Sequence, residues 1–158
     1  MSTSGDRMEG KNAPDFTAPT DGGDTLKLSG LRGKPVVLYF YPKDDTPGCT
    51  TEACGFRDAS PDFKKLKAQV VGVSKDSVAR HDKFKAKYKL PFTLVSDEDG
   101  KICEKYGTWI EKSLYGRKYM GIDRATFLID RNGVVRRAWR KVKVAGHVGE
   151  VQKALKTL

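Results

Sequence analysis

Hydrophobic and polar positions along the chain alternate in ways that pick out a small set of elements. The unbroken run Val36-Val37-Leu38-Tyr39-Phe40-Tyr41 is β-branched and aromatic, the pattern of a strand buried on both faces, and Pro42 ends it. A loop over residues 43–48 follows. From Thr50, the apolar residues Ala53, Phe56 and Ala59 recur at helical spacing. Ser60-Pro61 then reads as the cap and first position of a second helix, with Phe63, Leu66 and Val70 inward and Lys64, Lys65 and Lys67 outward. Val70-Val71-Gly72-Val73 reads as another buried strand, which completes a βαβ unit.

Further on, Asp76-Ser77 is suited to cap a helix carrying the i, i+4 pair Phe84 and Tyr88, and Leu90-Pro91 ends it before a strand over residues 92–95. Residues 101–106 fit a short helix. Thr126-Phe127-Leu128-Ile129 and Val134-Val135-Arg136-Arg137-Ala138-Trp139 flank the turn Asp130-Arg131-Asn132-Gly133, the clearest hairpin in the chain. Residues 147–158 close it as a helix with Val148, Val151 and Leu155 on one face. Near the start, Gly22-Gly23-Asp24 reads as a turn into a short strand, and residues 1–12 read as a flexible extension. Residues 13–158 then form a single α/β domain of thioredoxin-like type, a central mixed sheet with helices on both faces.

The length of 158 residues agrees with about one domain. No stretch has the roughly 18 apolar residues of a membrane span, and the start lacks the apolar core of a secretory signal, so a cytoplasmic protein is expected. Lys and Arg number 30 against 20 Asp and Glu, giving +10, enough to attract anions without naming a partner. Three cysteines in a reducing compartment are expected as free thiols, and any disulfide as a transient catalytic one.

The chemistry concentrates in Tyr41-Pro42-Lys43-Asp44-Asp45-Thr46-Pro47-Gly48-Cys49-Thr50-Thr51-Glu52-Ala53-Cys54, which places Cys49 about where a helix begins after a buried strand. Unpaired N–H groups and the positive end of the helix dipole favour a thiolate there, the reactive form of cysteine. Thr46 stands three residues earlier on a loop stiffened by Pro42 and Pro47. This Pro-x-x-x-Thr-x-x-Cys pattern resembles the peroxiredoxins. Ala13-Pro14-Asp15-Phe16, Tyr106-Gly107, the stretch from Gly121 through Arg124 to Asp130, residues 141–148, and a second cysteine five residues after the first resemble the peroxiredoxin Q, or bacterioferritin comigratory protein, subfamily.

That resemblance implies a thiol-dependent peroxidase acting on hydrogen peroxide and organic hydroperoxides. It makes Cys49 the peroxidatic and Cys54 the resolving cysteine, Thr46 and Arg124 the peroxide-orienting groups, and Pro42 a shield over the thiolate. It implies no cofactor, reduction by thioredoxin or a similar dithiol, and a monomer. On chemical grounds a guanidinium beside the sulfur favours the thiolate and polarises the breaking O–O bond, and Glu52 is placed to orient Arg124 by a charge-assisted hydrogen bond.

Blander readings hold elsewhere. Cys103 is expected to be a bystander in a short helix, and Trp139 a core residue. His81 and His147 stand apart and the cysteine spacing is wrong for zinc, so no metal is expected. Lys83, Lys85, Lys87 and Lys89 read as a solvated face. The alternatives are a thiol-disulfide oxidoreductase of the same fold, disfavoured by the lack of Cys-x-x-Cys, and a basic nucleic-acid-binding protein using Arg136, Arg137, Arg140, Lys141 and Lys143, for which no recognition motif is present.

Overall fold

The computed structural model describes residues 6–158. A small antiparallel ribbon, β1 (Thr17–Pro19) and β2 (Thr25–Lys27), precedes β3 (Val36–Phe40), whose five residues are all buried. Helices α1 (Pro47–Asp58) and α2 (Ser60–Lys65) lead to β4 (Gln69–Ser74), then α3 (Val78–Tyr88), β5 (Thr93–Ser96) and the short α4 (Lys101–Lys105). A hairpin of β6 (Trp109–Leu114) and β7 (Arg117–Ile122) follows, then β8 (Ala125–Ile129), β9 (Val135–Trp139) and α5 (His147–Leu155).

The central sheet runs β5-β4-β3-β8-β9. β3 pairs parallel with β4, and β4 with β5, whereas β8 pairs antiparallel with both β3 and β9, so the sheet is mixed. The pleat sends alternate β3 residues to opposite faces. Val36, Leu38 and Phe40 join one core with Ile102 and Cys103 of α4, while Val37, Tyr39 and Tyr41 join another with residues of α1, α2, α3 and α5. This is the expected thioredoxin-like arrangement, with helices on both faces.

Several expectations need correction. Residues 1–5 lie outside the described residues, but residues 6–12 do not fray. Met8 is buried, Gly10 N–H donates to Val135 O at 2.8 Å, and Asp6 pairs with Arg140 at 2.7 Å, so this segment is stitched along β9. α1 begins at Pro47 rather than Thr50. Ser60 opens α2 instead of capping it, and α2 stops at Lys65 because Lys67 turns left-handed (φ 57°) and Ala68 N–H returns to Phe63 O, which leaves Val70 wholly to β4. The β6–β7 hairpin was not anticipated. Its two-residue turn, Tyr115-Gly116, has φ of 51° and 75°, the conformation that suits a hairpin's twist and that glycine adopts without strain.

Candidate active site

The site grows from the first turn of α1. Thr46 precedes it in extended conformation, and its hydroxyl does not cap the helix but donates to Lys43 O at 2.9 Å. The first intrahelical bond of this turn is Thr50 N–H to Thr46 O. Pro47 has no N–H, so Gly48 and Cys49 carry the amides that helix geometry leaves without an intrahelical acceptor. Cys49 is therefore buried at the electropositive end of a twelve-residue helix.

Arg124, from the two-residue connection between β7 and β8, reaches this turn with both ends of its fork. Nη2 donates to Cys49 Sγ at 3.3 Å, and Nη1 donates to Glu52 Oε1 at 2.7 Å. Cys49 and Glu52 are one turn apart on α1, so a single planar guanidinium bridges them. Gly48 gives Arg124 room, since a Cβ there would stand 3.2 Å from Nη2 and press the guanidinium aside by a few tenths of an ångström. The Arg124 backbone is held in turn by Val142 N–H to Arg124 O at 3.0 Å.

Glu52 is fully buried, and its Oε2 has no hydrogen-bond partner. Burial pushes its carboxyl up to about 7, against the opposing pull of Arg124. Behind the site, His147 Nε2 lies 2.7 Å from Thr126 Oγ1, and its ring meets Phe56 and Trp139 edge-on. Burial lowers its pKa to about 4, so this wall of the site is neutral at physiological pH. Lys112 of β6 has its pKa lowered by burial, Asp123 opposes that shift, and Arg124 reinforces it.

Of the residues singled out from sequence, the fold thus joins Cys49, Glu52 and Arg124 directly. Thr46 abuts them in the chain, Pro42 is half-buried at the start of the loop, and Cys54 is a partly buried free thiol farther along α1. Cys103 is buried on the other face of the sheet, where burial first and a hydrogen bond to Asp97 second push its thiol far up. Trp139 is core, Trp109 lies under Lys75 Nζ, and Tyr119 is exposed. Lys112, Asp44 and His81 escaped sequence reasoning. His81 is not isolated, because its ring nitrogen and oxygens of Asp44 and Asp76 lie within 4.8 Å of one another. His81 Nδ1 and Asp44 Oδ2 bond each other, Asp44 Oδ1 accepts from Tyr41 OH, and the Asp76 oxygens accept from Ser74 Oγ, Arg80 and the Asp44 amide, which fits a polar network.

A parallel-antiparallel thioredoxin-like sheet with a cysteine at the start of the helix after β3, bridged by an arginine from the edge of β8, defines a peroxiredoxin-type thiol enzyme. The AhpC/TSA family model matches residues 10–138, and the chain belongs to that family. It is similar to the putative peroxiredoxin bcp of Coxiella burnetii, 59% identical over 142 residues that cover 90% of this chain and 94% of the relative. Peroxiredoxin Bcp of Bacillus subtilis is 52% identical over 149 residues, covering 94% and 95%. Among solved structures, the Xanthomonas campestris bacterioferritin comigratory protein, described with alkyl peroxide reduction activity, superposes with a TM-score of 0.86 at 46% identity over 90% of each chain. The resemblance to the peroxiredoxin Q subfamily holds, and the chain is a thiol-dependent peroxidase.

Proposed function

We propose that Cys49 is the peroxidatic cysteine of this enzyme, reducing hydrogen peroxide and organic hydroperoxides, and that Cys54 resolves it. The observation that carries this reading is the Arg124 fork, with one arm on Cys49 Sγ and the other on Glu52. The Cys49 thiolate attacks one peroxide oxygen, the O–O bond breaks, and the leaving oxygen departs with the electron pair and a proton as water or alcohol. Cys49 is left as a sulfenic acid. Arg124 stabilises the charge that develops on the peroxide, the Thr46 hydroxyl orients it, Glu52 fixes the guanidinium, and Pro42 shields the sulfur. The Cys54 thiolate then attacks the sulfenic sulfur, water leaves, and an external dithiol of thioredoxin type returns the two electrons.

α1 is continuous through both cysteines. Five residues on a regular helix separate Cα atoms by about 8.6 Å, whereas a disulfide tolerates about 7 Å. The first turn therefore unwinds before the bond closes, which opens the former pocket to the reductant. Amide exchange over residues 46–56 is expected to rise on oxidation, and equal protection in both states, with the Cys49–Cys54 bond confirmed by mass spectrometry, would exclude unwinding. The function itself is tested by hydrogen peroxide consumption with thioredoxin and its reductase. Cys49→Ser is expected to abolish it, and retained consumption would remove Cys49 from the reaction. We place the enzyme in the cytoplasm as a monomer with no specific nucleic-acid partner. No helix among the described residues is long and apolar enough to cross a membrane.

A further inference from the structure

The loop that delivers Thr46 and Cys49 is gripped from below by α3, a helix with no part in the peroxide chemistry. His81, in the first turn of α3, is completely buried, and Asp44, in the loop, is 3% exposed. His81 Nδ1 lies 2.6 Å from Asp44 Oδ2, and Nε2 lies 2.9 Å from Val95 O. The carbonyl can only accept, so Nε2 carries a proton, and with Asp44 ionised Nδ1 donates as well and the two form a buried ion pair. Asp44 has no freedom left. Its other oxygen accepts from Tyr41 OH, and its own N–H donates to Asp76 Oδ2, which also accepts from Ser74 Oγ while Asp76 Oδ1 pairs with Arg80.

The next residue is held as firmly from outside. Asp45 is left-handed (φ 57°), a conformation that costs a non-glycine residue energy and that persists only where its surroundings impose it. Its two oxygens take Lys87 Nζ at 2.8 Å and Tyr88 OH at 2.7 Å, both from the last two turns of α3. Consecutive aspartates thus fasten the loop to both ends of one helix, immediately before Thr46 turns the chain into α1.

We propose that Asp44 and His81 are positioning residues for the peroxide reaction, their buried pair holding residues 43–46 so that Thr46 and the first turn of α1 meet Arg124 in reactive register. This rests on the assignment of Cys49 as the peroxidatic cysteine. A buried ion pair is weak evidence for net stability, because desolvation offsets much of the attraction, but it fixes one geometry strongly. Burial alone would push His81 down, and the hydrogen bond and charge of Asp44 more than reverse that, with Val95 O and Asp76 acting in the same direction. The groups facing the ring are therefore Tyr41 and Asp44 from the loop side, Asp76 and Arg80 from the β4–α3 corner, and the β5 carbonyl. The pKa of His81 is raised from its ordinary value, so the second proton is lost at a higher pH than from a free imidazole.

The test compares two reactions of the same sulfur in the reduced protein. Alkylation by iodoacetamide needs only an accessible thiolate, whereas single-turnover oxidation by hydrogen peroxide also needs Thr46 and Arg124 in place. Asp44→Asn and His81→Asn are expected to slow peroxide oxidation by about tenfold to a hundredfold, the cost of a small misplacement of reacting groups, and to change alkylation by less than about threefold. His81→Asn keeps an N–H toward Asp44 and is expected to recover part of what His81→Ala loses. In the folded wild type, the peroxide rate is expected to drop on an alkaline limb that tracks the loss of the second His81 proton observed by nitrogen NMR, and Asp44→Asn is expected to move that limb to lower pH. Unchanged peroxide rates in Asp44→Asn and His81→Asn would overturn the proposal, as would equal losses in both reactions. If a variant fails to fold, the wild-type comparison decides, and a peroxide rate that does not follow the His81 titration overturns it. Failure of the underlying assignment reads differently, as peroxide oxidation that survives Cys49→Ser.

Discussion

Two helices of this protein begin with a buried cysteine in the first turn, and only one of those turns leaves its amides uncapped and sets a cation against the sulfur. At the start of α4, Asp97 Oδ1 accepts Ile102 N–H at 3.0 Å and Oδ2 accepts Cys103 N–H at 2.9 Å, so a carboxylate occupies the amides that could face a thiolate. At the start of α1 no side chain caps the helix, and the buried carboxylate, Glu52, is turned away from the backbone to hold Arg124 against Cys49. Each turn therefore has one buried cysteine and one buried carboxylate, and the two differ in where the carboxylate points. Spent on the helix amides, it satisfies the backbone and, after burial, is the second reason the Cys103 thiol stays protonated. Spent on a guanidinium, it leaves the amides open and brings a cation to the sulfur. An uncapped helix N-terminus leaves its amides free to favour a thiolate.

The sharpest way to break this comparison is to remove each sulfur. Cys49→Ser is expected to lower peroxide turnover by at least about a thousandfold, since the hydroxyl is a poor nucleophile toward the O–O bond. Cys103→Ser is expected to leave turnover within about twofold, with a stability cost of about 1–3 kcal/mol for a buried hydroxyl. Comparable activity losses in the two variants, measured on folded protein, would erase the distinction.

The contrast predicts a pH dependence that belongs to α1. Glu52 titrates at about 7 in the folded protein, above the ordinary value of about 4.3 it regains on unfolding. Between those values the folded state holds a proton that the unfolded chain has released. Stability therefore falls as pH rises through this window, with a slope approaching about 1.4 kcal/mol per pH unit. Glu52→Gln is expected to flatten that slope in urea titrations run from pH 4 to 8. An unaltered slope would show that another group causes it.

How much of this was legible in the sequence depends on range. β3 was readable because five consecutive apolar residues buried on both faces leave no other pattern, and the β8–β9 hairpin because Asp130 and Gly133 mark its turn. The β6–β7 hairpin was not, because its strands are largely exposed and held by cross-strand pairing, so no alternation of buried and exposed positions marks them. In the site, Cys49 announced itself through Pro47, Gly48 and Thr46. Arg124, 75 residues away, was identified by resemblance, since nothing local marks an arginine as facing a sulfur. Asp44 and His81 are 37 residues apart, and their pairing left one faint trace. His81 falls in register with Phe84 and Tyr88 on the inward side of α3, where a histidine needs a buried partner.

Next in size is the fork of Arg124. Arg124→Lys keeps a positive charge beside Cys49 but cannot donate to Sγ and to Glu52 Oε1 in one plane. The second-order rate with peroxide is expected to fall by about tenfold or more, the equivalent of about 1.4 kcal/mol of lost transition-state stabilisation. A rate unchanged from wild type would show that charge alone suffices and would remove the bidentate geometry from the mechanism.

The smallest effect tests the inert side of the comparison. Native alkylation by iodoacetamide, followed by mass mapping, is expected to label Cys49 well ahead of Cys103. Asp97→Asn keeps one oxygen acceptor for the α4 amides and sets an NH2 group against the other amide, so the cap is half lost, at about 1 kcal/mol. It also removes the negative charge beside the Cys103 thiol. Burial is the larger reason that thiol stays protonated, with the Asp97 hydrogen bond second, and the substitution leaves burial in place. Labelling of Cys103 in Asp97→Asn is therefore expected to rise by less than about tenfold and to stay behind that of Cys49. Should Cys103 instead react as fast as Cys49, the carboxylate on the helix amides would be the whole reason for its inertness. The two turns would then differ by a single cap, with the surrounding core contributing nothing.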